Sequence, residues 1–183
     1  MKNIFTVSAT AVMLLGVSTG AFATDGTINF TGVISAASCS VSSVAGTSLT
    51  AGTVDFGTVS NNTFGTAGSS TVGTPFSIEL TDCAVSSAPS ITFNGAAVTT
   101  AGYTELFSSD ISGLGIRIGD AGNTSTIYSP GVSTANTGLN GLTSGVTQAS
   151  ANFIAWLVDY TGSNDYAGTI DTDVTFTIDY ADT

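Results

Sequence analysis

Apolar and polar residues alternate with a period of two near both ends of this chain. Near the start, Ile28, Phe30, Gly32 and Ile34 share one face, opposed by Thr27, Asn29, Thr31 and Val33. At the other end Ile170, Val174, Phe176, Ile178 and Tyr180 share a face, opposed by Asp171, Asp173, Thr175, Thr177 and Asp179. Successive side chains of a strand point to opposite sides of a sheet, so each stretch predicts a strand with one buried and one wet face. Between them the pattern predicts strands at 54–59, 75–83, 90–93 and 114–118, with Asn94-Gly95 and 119–123 as turns. Residues 152–160 are apolar on both faces, which predicts a strand central to a sheet. The Ser- and Gly-rich stretches 60–73 and 129–149 read as surface loops. No window carries the three-to-four spacing of an amphipathic helix. About seven strands at this spacing predict an all-β, immunoglobulin-like sandwich.

The first residues have another logic. Lys2 gives a basic start, 4–17 is mostly apolar, and Ala21-Phe22-Ala23 places small residues at a cleavage site. Residues 1–23 read as a secretory signal peptide, the apolar run being shorter than the ~20 residues a membrane span requires. Cleavage after Ala23 leaves 24–183, the size of one domain with a real core.

Charge and cysteines narrow the chemistry. The whole chain carries −11; without Lys2 it becomes −12, Arg117 standing alone against 13 acidic residues. Such a surface repels phosphate backbones and anionic lipid, which argues against nucleic-acid binding, and nothing predicts membrane insertion. Cys39 and Cys83 are the only cysteines. In an exported chain they predict one disulfide, worth roughly 4 kcal/mol in the chain-entropy model. There is no histidine, no CxxC and no GxSxG, so neither a metal site, a cofactor nor a nucleophilic catalytic centre is expected. Asp120, Asp171 and Asp173 lack a calcium-loop pattern and read as solvated acidic residues. Trp156, in an apolar neighbourhood, reads as core rather than a sugar platform.

Four segments in order resemble the pilin subunits of chaperone–usher fimbriae, of the type 1 and P-pilus kind. Residues 26–39 (GTINFTGVISAASC) resemble the family's N-terminal extension leading into the first cysteine. Residues 54–57 (VDFG) and 75–83 (PFSIELTDC) resemble its second strand and the strand of the second cysteine. Gly168 and Tyr180 have the separation of the family's glycine and C-terminal tyrosine, although Ala181, Asp182 and Thr183 follow that tyrosine here.

The resemblance implies an incomplete immunoglobulin-like β-sandwich lacking its last strand, completed by a donor strand from another chain. It implies a donor-strand extension at 24–36 and a pilin domain at 37–183. Ile28, Phe30, Gly32 and Ile34 would donate. Gly168, Val174, Phe176, Ile178 and Tyr180 would form the acceptor groove, which also faces a chaperone. Implied partners are other pilin subunits, a periplasmic chaperone and an outer-membrane usher. The product would be a cell-surface fibre involved in adhesion, with this chain a shaft subunit, or a minor or adaptor subunit, rather than a two-domain tip adhesin. Two readings from other classes stay open: a self-complete secreted carbohydrate-binding sandwich, and a hydrolase using scattered carboxylates.

Overall fold

The computed structural model describes residues 37–181. The expected signal peptide (1–23) and the expected donor residues Ile28, Phe30, Gly32 and Ile34 lie outside them. Within the described residues the chain is an all-β, immunoglobulin-like sandwich of nine strands and two short 3-10 turns.

The larger sheet runs β1 (Ser38–Val44), β2 (Thr74–Ala84), β8 (Ala149–Asp159), β5 (Leu114–Asp120) and β4 (Phe107–Ser108), with β6 (Ile127–Tyr128) on the free part of β5. The smaller sheet is β7 (Ser133–Ala135), β3 (Ser90–Asn94) and β9 (Thr175–Asp179). All pairings are antiparallel. As its two apolar faces predict, β8 sits centrally, between β2 and β5.

Aromatic rings join the two sheets. Phe153 of β8 stacks on Phe76 of β2 at 5.0 Å and meets Phe93 of β3 edge-on at 5.2 Å. Tyr128 closes the cluster, 5.3 Å from Phe153 and 5.4 Å from Phe93. Such edge-to-face and offset contacts add to what burial alone provides. Cys39 and Cys83 form the expected disulfide, fastening β1 to β2 where the ladder carries bulges.

Several expectations need correction. Residues 54–59 join no ladder, although Val54, Phe56 and Val59 turn their apolar side chains partly inward. The alternation breaks after Phe56, where the Gly57 N–H donates to Asp55 Oδ1 at 2.7 Å and Gly57 takes φ +65°. The last strand is paired only over 175–179, not from 170. β5 runs on through Asp120, which lies in the strand and not in a turn. Strands β1, β4, β6 and β7 were not anticipated, being short or dominated by serine.

The 129–149 stretch is not a surface loop throughout. Leu139 and Leu142 are fully buried from it. Asp120, 1% exposed rather than solvated, accepts hydrogen bonds from the Thr137 N–H (2.6 Å), the Thr137 hydroxyl (2.6 Å) and the Gly122 N–H (2.8 Å). Asn136 beside it donates to the Tyr128 hydroxyl and to the Asn152 carbonyl. Burial pushes the Tyr128 phenol up to about 12, against the bond from Asn136. A buried carboxylate with this many donors is a structural peg.

Phe153→Ala should cost about 3–5 kcal/mol, because the ring is fully buried at the junction of both sheets. Urea unfolding of the mature protein would measure this as a lowered midpoint.

Candidate functional site: an apolar groove beside an unpaired strand

The final apolar stripe is only half buried. From Ile170 to Tyr180, the inward residues Ile170, Thr172, Val174, Phe176, Ile178 and Tyr180 are all partly exposed, while Asp171, Asp173, Thr175 and Thr177 face solvent. A stripe with this period normally ends up inside a sandwich. Here no described strand lies beyond it. β9 pairs with β3 on one side, from Ser90 opposite Asp179 to Asn94 opposite Thr175, and is the edge of its sheet on the other.

Beside that edge runs a groove of about 620 Å³. One lip is residues 52–59 and the other is 167–174; neither joins a ladder. The floor is core: Phe76 and Ile78 of β2, Phe93 of β3, Ile116 of β5 and Leu157 of β8. Thr172 contributes a buried hydroxyl with no hydrogen-bond partner among the described residues. The groove is thus apolar at its base and bordered by two segments that join no ladder.

Of the residues singled out from the sequence, Gly168, Val174 and Phe176 line the groove. Gly168 has φ +138°, which strains any L side chain. Ile178 lies further along β9 and Tyr180 just past its end, both packed against the main core. The Tyr180 hydroxyl accepts the Cys39 N–H at 2.8 Å, which ties the end of the stripe to β1. Burial raises the Tyr180 phenol above its usual range, with the Cys39 bond opposing, so it stays neutral at physiological pH. Sequence reasoning missed the 52–59 lip as a groove wall and the floor from β5 and β8, since both depend on which strands lie opposite one another.

One end of the groove is bridged. Phe64 and Tyr166, from the two sides, meet edge-on at 5.4 Å, and the Tyr166 N–H donates to Asn61 at 3.3 Å. Behind them Asp159 is fully buried at the end of β8. It accepts from the Tyr166 hydroxyl (2.7 Å) and from the N–H groups of Gly65, Thr161 and Gly162. Burial pushes its carboxyl up, but the Tyr166 bond and those three backbone donors outweigh this and hold it below the ordinary value of 3.8. Burial and the same carboxylate push the Tyr166 phenol up.

The groove lining carries Asp55, Asp171 and Asp173 and, among the described residues, no Glu, cysteine or basic residue. Among the described residues, no three His, Cys, Asp or Glu side chains are grouped to hold a metal ion, and no helix is long and apolar enough to cross a membrane.

Comparison with known proteins adds the decisive observation. The family model for fimbrial proteins matches residues 28–181. The chain belongs to the fimbrial protein family. That is a family of structural, surface pilus components and not of enzymes. A sequence comparison with curated proteins gives no significant match.

Solved structures share the fold. A subunit from the structure of a chaperone–usher pilus, described for its rod uncoiling, superposes with a TM-score of 0.60 at 20% identity, covering 85% of this chain and 95% of that one. The P pilus rod subunit PapA gives 0.60 at 18% identity, covering 78% and 99%. A type I fimbria protein and antigen of Burkholderia pseudomallei gives 0.52 at 22% identity, covering 73% and 86%. This fimbrial chain therefore shares the pilin fold over most of its length.

Asp159→Asn should destabilise the fold at neutral pH, because an amide nitrogen cannot accept the N–H bonds that the carboxylate takes. The folded pKa is depressed, so the ionised form's contribution is complete above 3.8 and is lost as pH falls through the folded value. The melting temperatures of the two proteins should differ at pH 7 and converge below pH 3.8, as thermal melts across pH would record.

Proposed function

We propose that the groove and the free edge of β9 receive a strand from another chain, and that the subunit polymerises by donor-strand exchange into a surface fibre. The observation that carries this reading is the conjunction of an unpaired β9 edge with an apolar groove of about 620 Å³ alongside it. A free edge is a template for strand addition. An inserted strand pairs that backbone and covers the half-exposed Val174 and Phe176 with its own apolar side chains. It also gives the orphan Thr172 hydroxyl a polar neighbour.

The donor is the patterned segment within 24–36, ahead of the pilin domain at 37–183. Ile28, Phe30 and Ile34 supply apolar plugs, each worth about 1.5–3 kcal/mol on burial, and Gly32 passes where the groove is shallow. Gly168, Val174, Phe176, Ile178 and Tyr180 belong to the accepting side. Before assembly a periplasmic chaperone covers the same groove, and exchange takes place at an outer-membrane usher, after export directed by residues 1–23. Adhesion follows from the assembled fibre. The chaperone–usher pilus and P pilus rod folds shared by this chain support the assignment.

Material sheared from producing cells and run in SDS should give a ladder that collapses to one band only on boiling. A single monomer band in both lanes would overturn the exchange reading in favour of a self-complete domain. Gly32→Leu should abolish the ladder while leaving the disulfide-bonded sandwich folded; normal polymers from that variant would remove Gly32 from the mechanism.

A further inference from the structure

The dipeptide Asn-Gly occurs twice in the described residues, at Asn94-Gly95 and at Asn140-Gly141. Both asparagines are exposed, but the backbone around them differs. Asn94 ends β3, opposite Thr175 in the ladder with β9, and its C=O accepts the Thr175 hydroxyl at 3.4 Å. Gly95 is closely packed: a Cβ there would lie 3.0 Å from Phe107 Cδ1 and 3.4 Å from Val174 Cγ2. Just beyond it the Ala96 C=O accepts the Ser108 N–H at 2.6 Å. Folding the Asn94 side chain back onto the next backbone nitrogen would unpair the end of β3.

Asn140 and Gly141 instead form the tip of a turn. The Leu142 N–H donates to the Leu139 C=O at 2.9 Å, and both leucines are fully buried. Asn140 has φ −58° and ψ −23°, the conformation of the first central residue of a type I turn. The tip is anchored on both sides and bare between them. Neither the Asn140 carboxamide nor the Gly141 N–H has a hydrogen-bond partner among the described residues. A Cβ on Gly141 would meet nothing within 4 Å, so the Gly141 nitrogen is open to approach.

We propose that Asn140 is a self-modification site, converted to isoaspartate through its neighbour Gly141 as the folded protein ages. The Gly141 nitrogen attacks Asn140 Cγ. An N–Cγ bond forms, the Cγ–Nδ2 bond breaks, and ammonia leaves with the proton that the Gly141 nitrogen gives up. Water then opens the cyclic imide at either carbonyl, giving aspartate or isoaspartate. In sum, an amide and water become a carboxylate and ammonium, with no oxidant and no second protein required. Adjacency supplies the effective concentration of the nucleophile, and the missing side chain at Gly141 removes the usual obstacle. Isoaspartate routes the main chain through the side-chain carbon and lengthens it by a methylene. That extra length falls between Leu139 and Leu142, in the segment that Asp120 fastens through Thr137. Conversion therefore loosens the seal those leucines make over the core, and it adds a negative charge to a chain already strongly acidic. Because ammonia is lost, the converted fraction records time since folding.

The mature protein from producing cells is incubated in mildly alkaline heavy-oxygen water at physiological temperature, and its peptides are mapped by mass spectrometry over time. The peptide containing Asn140 should gain the mass of an amide-to-acid change with heavy oxygen incorporated, and should become a substrate for an isoaspartyl methyltransferase. The peptide containing Asn94 should stay intact in the folded protein and convert in urea, where the ladder no longer holds it. Gly141→Ala, whose Cβ has room, should slow conversion at least about tenfold with the melting temperature unchanged. Should that variant misfold, Asn140→Gln, which would have to close a larger ring, carries the same test. The converted fraction should melt below the intact protein. Persistence of unmodified Asn140, conversion of Asn94 at an equal rate in the folded protein, or unslowed conversion in these variants would overturn the proposal. Equal melting of converted and intact protein would overturn the loosening of the seal.

Discussion

Backbone hydrogen bonding in an apolar setting is the constraint on which this molecule turns. A strand beside a hydrophobic groove cannot leave its N–H and C=O groups unpaired without cost, nor can water serve them there and leave the apolar floor dry. β9 meets this requirement on one side only, through its five-residue ladder with β3. The same shortage leaves the final stripe, patterned from Ile170, paired only over 175–179. The 52–59 lip joins no ladder, its pattern interrupted by the turn at Asp55 and Gly57.

The rest of the sandwich keeps that groove open instead of letting it collapse. Asp159 holds the loops around Gly65 and Gly162 and orients Tyr166 against Phe64, so the two sides are joined at one end. At the far end Tyr180 is tied to the backbone of Cys39, which is in turn bonded to β2. Between these bridges the floor is set by Phe76, Phe93 and the strands they belong to. Asp120 and Asn136 do similar work elsewhere, drawing the 136–142 segment over the core so that Leu139 and Leu142 seal it. Buried carboxylates saturated by backbone donors thus serve as fasteners in a chain almost devoid of cations.

The two faces of β8 divide the labour. Its inner side chains build the core and the groove floor, while its outer face carries the indole, which lies against Gly73 and Gly119 of the neighbouring segments and opposite Arg117 of β5. The sequence of β5, with glycines on either side of Arg117, is intelligible only from that outer face, where those positions must be bare for neighbouring side chains to lie close to the sheet.

Sequence alone determined the class of fold, the central place of the strand expected at 152–160, the disulfide and the residues of the half-buried terminal stripe, because two-residue periodicity and cysteine count are local properties. The resemblance carried by residues 26–39, 54–57, 75–83 and the Gly168–Tyr180 spacing reached the fimbrial family for the same reason, since each motif is contiguous or regularly spaced. Strands β4, β6 and β7 were not legible: two or three residues carry no periodicity, and only a partner defines them. The burial of Asp120, Leu139 and Leu142 could not be read from polar, glycine-rich surroundings, because it arises from contacts across the fold. Trp156 packs, partly buried, against the small core cluster of Val98, Leu106 and Val158 on the outer face of β8, a placement that apolar neighbours in sequence do not specify. Tertiary structure alone decided where the sandwich closes and where it stays open, because a groove is defined by strands distant in sequence and by the edge that β9 leaves unpaired among the described residues.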